Sequence, residues 1–153
     1  MADWNTIRNA YGHFHPALVH FPIALVLTGA ALEAWGAFVR RDPRPSRTGN
    51  VLLVLGFCGA LVASGSGLAL FHKDDFRQPV LAAAEVHRVL GLACAASLLV
   101  AWACGQWLSR TQAPRPVQVW TYRVLYWLSA ILVGLAGHYG GWIVFGWGRV
   151  WTG

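Results

Sequence analysis

Apolar residues run along this chain in long uninterrupted stretches, and the charged residues are confined to short segments between them. Four stretches are long enough to cross a bilayer as helices, at about 16–39, 51–71, 81–108 and 117–145. Pro16 opens the first, at a helix position where proline is tolerated, and Arg40 and Arg41 close it. The connector 42–50 carries Pro43 and Pro45; 72–79 carries His72, Lys73, Asp74, Asp75 and Arg77; 109–116 again carries arginine and proline. A tail with glycines, 146–153, follows the fourth stretch. Connectors this short make successive helices antiparallel neighbours. The pattern predicts an all-α protein, an integral membrane four-helix up-down-up-down bundle forming a single transmembrane domain over 1–153, without internal repeats.

Composition strengthens the membrane assignment. Hydrophobic residues make up 56% of the chain and charged residues 12%, whereas a soluble domain carries about 25% charged. The mean hydropathy is +0.47. Several of the nine Trp lie at the ends of apolar stretches, where aromatic belts meet the headgroups. A net charge of +6 raises the question of nucleic acid, but the basic residues flank the spans and build no separate basic face, so that class is excluded. Cys58, Cys94 and Cys104 all lie inside apolar stretches and read as small buried hydrophobes. No Cys-x-x-Cys-His is present, which excludes covalent haem attachment. The first apolar stretch runs on to Arg40 without an Ala-x-Ala site and so reads as a span, not a signal peptide.

Arginine placement sets an orientation. Arg40, Arg41, Arg44, Arg47, Arg110, Arg115 and Arg123 fall on one side, against Arg8, Lys73, Arg77, Arg88 and Arg149 on the other. Residues 40–50, which follow the first span, alone hold four of them. Basic residues mark the cytoplasmic side, so both termini and the second connector are expected outside, in the periplasm of a bacterial inner membrane.

The histidines share that outer side. His20 precedes Arg40 by 20 residues, His87 precedes Trp107 by 20, and His138 follows Trp120 by 18. At about 1.5 Å per residue each lies roughly 27–30 Å from the opposite edge, near the outer limit of the hydrocarbon. Three spans thus bring imidazoles to one depth, with His15 and His72 above them and His13 in the segment ahead of the first span. Imidazole ligates haem iron and also copper, zinc or non-haem iron. Small neighbours favour a flat porphyrin: Gly91 is one turn from His87, Gly134 and Gly141 flank His138, and Ala24 follows His20. The stretch Ala63-Ser64-Gly65-Ser66-Gly67 offers a flat wall, and Arg88 is placed to pair with propionates. The same glycines also fit close helix packing, and a histidine at a membrane edge also serves as an interfacial anchor.

His15 and His20 are five residues apart, about 140° around a helix, so both cannot face one centre. Depth favours His20 as the inner ligand and leaves His15 as an outer ligand, a propionate partner or an exposed residue. No two of His20, His87 and His138 are singled out as the iron pair; one haem needs two, and a second haem would enlist His15. Glu33, inside the first span, reads as a proton or quinone group, or as an ion-pair partner of Arg123.

The stretch His15-Pro16-Ala17-Leu18-Val19-His20-Phe21-Pro22-Ile23-Ala24-Leu25 resembles the opening signature of a family of four-helix bacterial membrane proteins catalogued as a domain of unknown function. His87-Arg88-Val89-Leu90-Gly91 and Gly137-His138-Tyr139-Gly140-Gly141 also fit, so the resemblance spans nearly the whole chain. It implies a setting beside c-type cytochromes and other redox modules, and it points to His15, His20, His87 and His138 without naming what they bind. The plan is also similar to four-helix b-type cytochromes that anchor dehydrogenases, except that those place histidines at both membrane faces. The expectation is a small b-type cytochrome subunit of an oxidoreductase complex rather than a stand-alone enzyme. It would hold haem b near the periplasmic face and pass electrons between quinol, or a membrane subunit, and a periplasmic partner such as a c-type cytochrome. The alternatives are a copper or zinc site of three imidazoles, and a cofactor-free anchoring or assembly subunit of a respiratory complex.

Overall fold

The computed structural model describes residues 4–71 and 80–146. The described residues form α1 (Trp4–His13), α2 (His15–Leu18), α3 (His20–Ala34), a π-helical turn (Trp35–Val39), α4 (Arg47–Leu70), α5 (Val80–Arg110) and α6 (Pro116–Phe145). Four segments, His15–Val39, Arg47–Leu70, Val80–Arg110 and Pro116–Phe145, are long and apolar enough to cross a membrane. Packing runs α3 to α4, α4 to α5, α5 to α6 and α6 back to α3, so the spans close a ring. No more than 28% of any span's apolar window is buried within the chain. Lipid must cover the rest. The connector 72–79 and the end of the tail lie outside the described residues, and with them His72.

Local chemistry sets the boundaries. Pro22 has no N–H to offer Leu18 and crowds that carbonyl, so the first span breaks at Val19 and restarts at His20. The break is bridged by Val19 N–H to His15 O (3.1 Å) and Ile23 N–H to Val19 O (3.3 Å). At the other end the helix widens: Arg40 N–H reaches Trp35 O (3.1 Å) and Asp42 N–H reaches Gly36 O (2.8 Å). Arg41 then turns the chain with a positive φ of 53°. The second span begins at Arg47, four residues before its apolar stretch, because Ser46 caps it by accepting from Gly49 N–H at 3.1 Å. The stretch ahead of the first span is also helical. In α1, the Tyr11 hydroxyl donates to Val62 O at 2.7 Å and ties this short helix to the outer half of α4.

Val26, Leu53, Leu98, Ala101, Tyr122 and Tyr126 are fully buried along the axis of the ring. Toward the arginine end the core turns polar. Glu33 is 0% exposed and Arg123 3%, with Arg123 Nε 3.4 Å from Glu33 Oε2. Glu33 Oε1 also accepts from Ser46 N–H (2.7 Å), and Arg123 Nη2 donates to Asp42 O (2.9 Å) and Arg44 O (3.2 Å). The pair therefore joins the first and last spans and pins the connector between the first and second. Arg40, Arg41, Arg44, Arg47, Arg110 and Arg115 are exposed at this end. Phe38 stacks on Trp127 with ring centres 5.5 Å apart, and Trp120 lies 5.9 Å from Phe38. An aromatic belt is thus built at this end.

Candidate functional site

At the opposite end of the ring, two imidazoles meet. The His15 and His87 ring centres are 5.9 Å apart and the rings are inclined at 83°. Both side chains are half-buried. His15 stands at the start of the first span, on the face that continues inward through Pro22, Val26 and Gly29, all buried. His87 lies two turns into α5, between the outer ends of its neighbours.

Each ring is fixed through Nδ1. His15 Nδ1 donates to Ala63 O at 2.9 Å, with Ser66 Oγ 3.0 Å from the same nitrogen. His87 Nδ1 donates to Ala136 O at 2.7 Å. A carbonyl oxygen can only accept, so the proton sits on Nδ1 in both rings and the Nε2 lone pairs are left for another partner. Histidines that hold metals are oriented by this kind of bond. Two glycines make room for the rings. A Cβ on Gly67 would come within 2.9 Å of His15 Cε1, and one on Gly140 within 3.1 Å of His87 Cε1. The wall Ala63–Gly67 therefore cradles His15 itself, through a carbonyl, a hydroxyl and a missing side chain.

The two other candidate ligands lie elsewhere. His20 is exposed, and its Nδ1 donates to Pro16 O at 2.7 Å, one turn back across the helix break. His138 is exposed, its ring 5.8 Å from that of Tyr139. The matched depth of His20, His87 and His138 does not bring their rings together; His15 is the imidazole that joins His87. His15 and His20 do face different ways, and the inward face belongs to His15. Gly91 and Gly134 face open space, with nothing within 4 Å of where a Cβ would be. Among the described residues, no three His, Cys, Asp or Glu side chains gather.

Arg88 is next to His87 in sequence and half-buried. Its guanidinium lies 4.9 Å above the centre of the Phe71 ring, and its buried Nε has no hydrogen-bond partner among the described residues. A buried guanidinium nitrogen without an acceptor is costly, which marks a place suited to an acidic oxygen. Glu33 sits at the far end of the bundle, in the ion pair with Arg123.

Sequence reasoning did not name Ala136 or Gly140 as supports of the pair, and it did not place His15 on the inward face. The available signal was heptad spacing: His15, Pro22, Gly29 and Gly36 recur every seven residues, and small residues at 22, 29 and 36 mark the packed face on which His15 falls.

Neither the curated proteins nor the solved structures include a match to this chain. The family comparison does give one: the model for a predicted membrane protein family, DUF2231, matches residues 13–150. That range takes in all four spans and both paired histidines, and the chain belongs to the DUF2231 family.

Proposed function

We propose that this protein is a membrane-embedded b-type cytochrome subunit that carries electrons near the periplasmic face of a bacterial inner membrane. The observation that carries the reading is the His15–His87 pair, with both Nδ1 protons committed to backbone carbonyls. Two imidazoles can serve one metal ion only where their rings stand close together, and the His15 and His87 ring centres lie 5.9 Å apart. His15 and His87 would hold the iron through Nε2, and Arg88 would take a propionate on its Nε, which has no partner among the described residues. Gly91, one turn from His87, leaves the adjoining surface of α5 open.

Haem bound there would supply a one-electron iron couple whose potential its ligands and surroundings set. The chain's own contribution is orientation: Ala63 and Ala136 carbonyls fix both tautomers, and Gly67 and Gly140 let the rings approach the helix backbones. The exposed arginines at the far end support an outside location for the histidine end under the positive-inside rule. Electron exchange would run between membrane quinol, or a neighbouring membrane subunit, and a periplasmic redox partner such as a c-type cytochrome.

The test is a reduced-minus-oxidised optical spectrum with a pyridine haemochrome assay on purified protein. A b-type α-band is expected in the wild type, lost in His15→Ala and in His87→Ala, and kept in His20→Ala and His138→Ala. A wild-type protein without the band but with stoichiometric copper or zinc would make the pair a metal site instead. If it binds neither, and the His15 and His87 variants assemble normally, the subunit serves only as an anchor.

A further inference from the structure

Next to the Glu33–Arg123 pair, two buried polar atoms have no hydrogen-bond partner among the described residues: the Tyr122 hydroxyl oxygen and Asn50 Oδ1. Tyr122 is 0% exposed and precedes Arg123 on α6. Asn50 stands in the first turn of α4, just after Gly49, whose carbonyl accepts from the Tyr126 hydroxyl at 3.0 Å. Tyr126 is as deeply buried as Tyr122 and lies one turn further along the same face of α6. One tyrosine thus reaches α4 directly, whereas the other stops short of it. From α5, Gly105 faces both orphaned side chains: a Cβ there would come within 2.9 Å of Asn50 Oδ1 and 2.9 Å of Tyr122 Cε2. The two groups therefore flank one small region of the interior, where a polar atom left bare is costly.

Their chemistry narrows what can join them. Asn50 Oδ1 only accepts, so the partner must donate; the Tyr122 hydroxyl can give or take a hydrogen bond. Glu33 and Arg123 both act electrostatically on that hydroxyl and already neutralise each other. A cation would meet the guanidinium, and an anion would meet the carboxylate and the amide oxygen. What fits is a small neutral molecule with donors and an acceptor. Buried water makes about three hydrogen bonds to groups of this kind, and the closeness of Gly105 to both sides excludes a bulky alternative. Asn50 is itself half-buried near the arginine end of the bundle, so solvent has a short way in.

We propose that one water molecule is bound between Tyr122 and Asn50, accepting from the hydroxyl and donating to Oδ1. It forms a second link from α6 to α4 beside the direct bond of Tyr126, and it does not depend on the cytochrome reading. The test is radiolytic hydroxyl-radical labelling, in which X-rays split bound water and the radical marks the side chain beside it. The full chain is irradiated in detergent micelles and its oxidised tyrosines are quantified by mass spectrometry. Tyr122 is expected to be labelled several-fold faster than Tyr126, which is equally buried but already bonded to protein. Tyr122→Phe is expected to lower the folding equilibrium constant about tenfold in detergent unfolding, the worth of a typical hydrogen bond. A dry hydroxyl predicts the opposite sign, because removing an unpaired polar group from the interior leaves stability equal or raised. Tyr122 labelled no faster than Tyr126, as a direct Tyr122–Asn50 bond would give, would overturn the proposal. So would a Tyr122→Phe protein that folds as well as the wild type.

Discussion

Single positions decide how the imidazole pair is held. Gly67 and Gly140 lie so close to the two rings that a methyl group would displace them. Gly67→Ala is therefore expected to remove the b-type α-band while leaving the helical circular dichroism intact. Gly91→Ala provides the contrast, because a Cβ there meets nothing within 4 Å. It should keep the band and raise stability by about 0.5–1 kcal/mol through helix propensity, read as a higher melting temperature in detergent. If Gly67→Ala kept the full spectrum, the close contact with His15 would have no bearing on the site. The sequence made His15 and His20 mutually exclusive, a consequence of helical geometry alone. Choosing between them required knowing which face points inward. Depth was the wrong guide, because rings at equal height can still point in different directions, as the exposed His20 and His138 do.

Helices are shaped here by a few interruptions. Pro22 splits the first span, and the exposed His20 ring covers the Pro16 carbonyl across the split. His20 thus has a structural task that its membrane-edge position does not reveal. The break comes from a covalent constraint and is visible in the sequence; the ring that bridges it depends on a rotamer and is not. The start of α4 shows the reverse. Hydropathy placed it at 51, but Ser46 and its bond to Gly49 N–H draw it back to Arg47. Ser46→Ala should cost about 0.5–2 kcal/mol, measurable as a lower midpoint in detergent unfolding, with the His15–His87 spectrum preserved. The short α1 escaped notice because it is neither long nor apolar. Its anchor, Tyr11 on Val62 O, reaches a residue far along the chain.

At the scale of the molecule, the four spans were legible because each needs an apolar surface facing lipid, and hydropathy measures that directly. The ring's closure was partly legible: an acid inside a span calls for a partner, and Arg123 lay at a suitable depth. Removing one member of such a pair strands a buried charge. Arg123→Leu is expected to destabilise the protein by about 3–5 kcal/mol, and Glu33→Leu combined with Arg123→Leu by less than the sum of the single changes. A double-mutant cycle in detergent unfolding checks this. Additive losses would mean that the two side chains act independently, through their separate bonds to the connector backbone.

That pairing also has a consequence for biosynthesis. Arg123 is made 90 residues after Glu33, a lag of roughly 5–18 s at cellular elongation rates of about 5–20 residues per second. During that interval the first span carries the Glu33 carboxyl group with its guanidinium partner still unmade. A chain halted before the last span is consequently expected to be cleared by proteases faster than the finished one, a difference that pulse-chase labelling would read.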